Sequence, residues 1–121
     1  MSKATDAKFA AILVEAHNAA RNAVAIAATQ YDEMAGGCGF AWVNISGTEP
    51  LARYCRMRIK QTPDRRAQLP FGDKGYPSGW QFWNPGNHGG QRVDIKEAGA
   101  KAFRDALGKH GISAVSGSRL D

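Results

Sequence analysis

The sequence predicts an α+β domain with a long N-terminal helix, a mainly antiparallel β-sheet and a second helix near the C-terminus. Three observations carry this. Apolar residues step by three and four through residues 5–35, the period drops to two after Gly37, and a second helical stripe at 96–111 precedes one more β-branched stretch. At 121 residues the chain fits one domain, 1–121. A chain of this size can bury a core without crosslinks.

The first helix is expected over 5–35. Thr5 can cap it, Asp6 suits the first turn, and Gly36-Gly37 can end it. Phe9, Leu13, Ala16, Ala20, Ala23, Ala27 and Met34 form the stripe, broadened by Ile12, Val24 and Tyr31. Alanine dominates, so another element can approach closely. The length exceeds what one small sheet covers easily, which predicts packing on a second subunit.

Residues 38–45, "CGFAWVNI", alternate and read as a strand. "SGTEP" (46–50) reads as a turn. "LARYCRMRIK" (51–60) reads as a second strand, with Leu51, Arg53, Cys55, Met57 and Ile59 on a core face that Arg53 interrupts and Ala52, Tyr54, Arg56, Arg58 and Lys60 on the other. Residues 61–78 hold three of the five prolines and are expected to form a long, partly ordered loop. "GWQFWN" (79–84) is a third strand, with Phe82 and Trp83 on opposite faces. "GQRVDI" (90–95) fits a short fourth. A helix over 96–111 has Asp94 as its cap, Ala98, Ala102, Phe103 and Leu107 as its stripe, and Gly111 as its stop. "ISAVSG" (112–117) is a last strand.

The net charge is +5. Between Arg53 and Lys74 lie seven cations (Arg53, Arg56, Arg58, Lys60, Arg65, Arg66, Lys74) and two anions (Asp64, Asp73), so this segment holds the whole excess. Such a field favours nucleic acid, a phosphorylated small molecule or an acidic protein. The plainer alternative is a strand edge protected by charge. Cys38 and Cys55 fit no metal or redox spacing and read as small buried side chains in a reducing cytosol. The N-terminus lacks a signal pattern and no apolar run could cross a bilayer, which predicts a cytoplasmic protein.

The chain carries no HExxH, CxxC, GxSxG or phosphate-loop motif, and no paired carboxylates near a histidine. The expectation is therefore no enzyme, no cofactor and no metal, with His88 and Asp94 as the remaining catalytic alternative. Binding is better supported. Aromatic rings stack on bases, while arginines and loop amides hold phosphates. The stretch "GWQFWNPGNHGGQRVD" (79–94) supplies Phe82, Trp83, Asn84, Asn87, His88, Gln91 and Arg92, and Arg119 follows near the end. Between the two rings, Phe82 is the one expected to meet the base. His17 and Arg21 share a helical face and, with Arg56 and Arg58, form a candidate second anionic site. A hairpin turn with aromatic packing, and a frayed Arg119, are the structural alternatives.

The stretches "GGCGFAWVNI" and "QFWNPGNHGGQRVDIKEAGAKAFRDALGKHGISAVSGSRLD" resemble small phage proteins of the anti-Thoeris family of the first type. The resemblance covers residues 36–45 and 81–121. It implies a sponge that binds a glyco-cyclic ADP-ribose immune signal and hides it without cleaving it. It further implies a homo-oligomer of dimers and, in related members, a separate site for cyclic oligonucleotides. The family stacks the base on an aromatic ring and grips phosphates with C-terminal arginines. Phe82 best matches the ring and Arg119 one arginine. A second arginine is not evident, and Lys109, His110 or Arg104 are the stand-ins. The alternatives are a small basic nucleic-acid-binding protein using residues 53–74, a nucleotide-processing enzyme centred on His88, and an inhibitor of an acidic host protein.

Overall fold

The computed structural model describes residues 2–121. Its order is α1 (Lys3–Gln30), β1 (Gly39–Ile45), α2 (Pro50–Gln61), α3 (Arg65–Gln68), a 3-10 turn (Leu69–Phe71), β2 (Asp73–Lys74), β3 (Trp80–Trp83), α4 (Val93–Lys109) and β4 (Ala114–Leu120). The four strands form one antiparallel sheet in the order β2-β3-β1-β4. The α+β expectation holds. No helix among the described residues is long and apolar enough to cross a membrane.

The first helix begins earlier and ends sooner than its pattern suggests. Ser2, not Thr5, caps it, accepting the Thr5 amide. It ends at Gln30, with extended Tyr31 as its C-cap. Asp32 then folds the chain into a turn by accepting the Met34 amide and the Ala35 amide, one through its side chain and one through its carbonyl. Phe9, Ile12, Leu13, Ala16, Ala20, Val24 and Ala27 are buried along almost the whole helix. Most of that stripe packs on α4 of the same chain. Gly86 and Gly99 permit the close approach: a Cβ on Gly99 would lie 2.8 Å from the Val24 methyl and 3.2 Å from the Gly86 Cα.

Residues 51–60 are helix, not strand. Leu51, Cys55 and Ile59 satisfy a period of four as well as a period of two, so alternation could not separate the two readings. Pro50 is compatible with a helix start, because its fixed φ suits a first helical residue. Leu51, Ala52, Tyr54 and Cys55 then form one buried side, which a strand would have split between two faces. The segment 90–95 is likewise not a strand. It makes one isolated bridge, Cys38 to Arg92, and turns into α4 at Val93 with Arg92 at the cap position. Asp94 sits in the first turn rather than at the cap. The final strand runs on to Leu120, so Arg119 is anchored in the sheet and not frayed.

The core lies between the helices and one sheet face, where Ala41, Val43, Ile45, Trp80 and Phe82 meet Leu13, Ala16, Phe103 and Leu107. Cys55 is buried there, and burial pushes its thiol up to about 12. Cys38, expected inside, is exposed.

Candidate functional site: an open aromatic sheet face

Directly opposed residues of antiparallel strands point to the same side. Val43 opposes Phe82, and both face the core. Trp42 opposes Trp83 and Gly117, and Phe40 opposes Arg119, so these five share the other face. Phe82 is 2% exposed and packs 4.9 Å from Phe103. It cannot stack on a ligand without opening the core, so the choice of Phe82 is corrected. Trp83 is the ring that faces out, 51% exposed.

Trp83 does not stand alone. Its indole stacks on Trp42 at 5.7 Å with the planes 3° apart, and Phe40 lies 5.3 Å away. Trp42 lies over Gly117, where a Cβ would come within 2.8 Å of its Nε1. Two cations reach the Phe40 ring. The Arg119 guanidinium is 5.5 Å from its centroid and the Lys96 ammonium 5.2 Å. Lys96 is 7% exposed and donates to the Gly39 carbonyl at 2.9 Å, with no carboxylate within ion-pair reach among the described residues. Asn44, on the same face, has a buried Oδ1 without a hydrogen-bond partner among the described residues. The face therefore offers stacked rings and the exposed Arg119 cation, with the buried Lys96 ammonium against the Phe40 ring.

The loop 84–92 follows β3, and one carboxylate fastens its second half. Glu33 accepts the backbone amides of Gln91 at 2.5 Å and Arg92 at 3.0 Å, and the His88 Nε2 at 2.9 Å. The Arg92 amide is the largest cause, and His88 the next, of a Glu33 carboxyl held below its usual range. Arg92 forks onto both Asp94 oxygens, donates to the Asp32 carbonyl and lies 4.6 Å over Tyr31. Its hydrogen bond to Asp94 is the main reason that the Asp94 carboxyl is held low and the Arg92 pKa is raised. Arg92 is thus spent on structure and not free for a phosphate. Asn84 and Asn87 take left-handed backbone at φ 44° and 54°, which asparagine tolerates. Asn84 Nδ2 holds the His88 carbonyl at 3.0 Å. Asn87 is exposed.

The candidate second anionic site does not assemble. His17 is turned to the Pro70 and Pro85 carbonyls and packs edge-on against Phe103. Arg21 is exposed. Arg56 donates to the Gly47 carbonyl above Trp80, whereas Arg58 binds the Tyr54 hydroxyl above Phe71. Among the stand-ins for a second C-terminal cation, Arg104 is bound to Asp105 and Ser116, and His110 to Glu15. Lys109 is exposed at the end of α4.

Of the expected site residues, Trp83 and Arg119 come together through Phe40. Sequence reasoning missed Phe40, Trp42, Asn44 and Lys96. The alternation of "CGFAWVNI" carries a signal for the first three. Lys96 carries none, because only the packing of α4 against β1 brings it to the ring. Compared with protein families, curated proteins and solved structures, the chain matches none. The anti-Thoeris resemblance therefore rests on residues 36–45 and 81–121.

Proposed function

We propose that this protein is a non-catalytic binder of a nucleotide-type ligand, working as the sponge that the anti-Thoeris resemblance implies. It sequesters a cyclic ADP-ribose-type signal, or a cyclic oligonucleotide, in the host cytoplasm and leaves it uncleaved. One observation carries this reading: an outward Trp83 stacked on Trp42, beside a Phe40 ring flanked by Arg119 and Lys96. A base stacks on Trp83, and a phosphate meets the exposed Arg119 guanidinium. The pre-formed stack limits the ordering cost of binding. The protein acts as a homo-oligomer through the outward side of α1.

Calorimetry with cyclic ADP-ribose as the probe tests the site. Trp83→Ala is expected to cost about 1–3 kcal/mol, the usual worth of one base–aromatic stack. Arg119→Ala is expected to abolish binding at micromolar ligand with the fold intact by circular dichroism. Heat denaturation of the complex should return the ligand unchanged. Unaltered affinity in both variants would remove the site from this face, and a changed ligand would make the protein an enzyme.

A further inference from the structure

The cations of residues 53–74 take no part in the sheet face, and the structure shows how they are held. The close ion pairs among the described residues are Glu33–His88, Asp94–Arg92, Asp105–Arg104 and Glu15–His110, all outside this segment. Its own two acids are turned to the backbone. Asp64 accepts the Arg66 amide and caps α3, and Asp73 accepts the Lys74 amide. Seven cations are thus left without a carboxylate partner.

Three of them line up. Arg53, Arg56 and Lys60 sit at i, i+3 and i+7 on α2, one side of a helix. With Met57 and Gln61 they line an open groove of about 550 Å³. Arg56 is fixed in place by the Gly47 carbonyl at 2.8 Å and by Trp80, 5.6 Å from the ring centroid. Lys74 pairs with Trp80 across the sheet edge.

We propose that this groove binds the phosphate backbone of a nucleic-acid strand. From Arg53 to Lys60 the helix rises about 10 Å, over which one strand presents roughly three phosphates. An isolated small phosphate has no use for cations spread over that length. Guanidinium forks match phosphate oxygens in two-point contacts. A membrane surface is disfavoured because α2 has already spent its apolar side, Leu51, Ala52, Tyr54 and Cys55, on the core. The outward side offers only aliphatic stems and Met57, suited to sugars rather than to acyl chains. This site is independent of the nucleotide site on the sheet.

The test uses fluorescence anisotropy with a labelled 20-nucleotide oligo-dT between 50 and 200 mM salt. Three phosphate contacts predict a slope of about −2 in log affinity against log salt for a single strand. Arg53→Glu with Lys60→Glu should weaken binding at least ten-fold and flatten the slope. Lys101→Glu, exposed on α4, should change neither. Lys60→Glu alone serves if the double variant does not fold. Trp83→Ala should bind the strand like the wild type. The proposal is overturned if the wild type does not bind at 50 mM salt, or if the charge reversals leave binding unchanged. Loss of strand binding in Trp83→Ala would overturn it by moving the strand to the sheet. Equal affinity for anionic vesicles or polyglutamate would overturn it by making the groove a general anion surface.

Discussion

Gly117 has no side chain, and Trp42 occupies the space. A Cβ there would meet the indole at 2.8 to 3.0 Å, so Gly117→Ala must lift Trp42 off β4 and away from Trp83. The parallel pair is then lost, at a cost of about 0.5–1.5 kcal/mol. Denaturant unfolding should report the loss, and near-UV circular dichroism should report the altered indoles. An unchanged near-UV spectrum would show that Trp42 does not depend on this glycine. The Phe82 and Trp83 pair makes a related point. Their opposite faces follow from strand period alone, but which face is covered depends on where Phe103 lies.

Elements are joined here by a carboxylate rather than by a strand. Glu33, in the turn after α1, fastens the loop that leads into α4 through the Gln91 and Arg92 amides and His88. Its native carboxyl lies below the ordinary value of 4.5. A depressed native value stabilises the fold above 4.5, and that contribution is lost as pH falls through the native value. Glu33→Ala should therefore lower the melting temperature at pH 7, and the gap to wild type should close below pH 4.5. A gap that persists unchanged in acid would mean that the fastening does not depend on charge. Helix α2 shows the opposite case, where a pattern satisfied two periods and the tertiary demand for one buried side chose the helix.

The molecule as a whole separates its surfaces by chemistry: rings and the Arg119 cation on the sheet, unpaired cations on α2, and α1 across the core. The buried stripe of α1 is covered largely by α4, so its length alone does not require a second chain. Its outward side still exposes Val14 (61%) and Ile26 (55%), with Asn18 and Asn22 between them at steps of four. Light scattering at micromolar concentration should give a mass above one chain. Val14→Asp with Ile26→Asp should reduce it to a single chain. A single-chain mass for the wild type would contradict the oligomer.

Sequence by itself determined the α+β class, the long first helix, the first strand and its alternation, the opposed faces of Phe82 and Trp83, and the location of the charge excess. These follow from local period and composition, which need no knowledge of neighbours. Only the tertiary structure decided that residues 51–60 are helical, that Phe82 is core and Trp83 is not, and that Arg92 serves Asp94. It alone brought Lys96 and Arg119 to one phenylalanine ring from positions far apart in the chain. The physical reason is common to all of these. Period shows that two faces exist, but burial and the satisfaction of charge depend on residues distant in sequence, and those meet only when the sheet and α4 have packed.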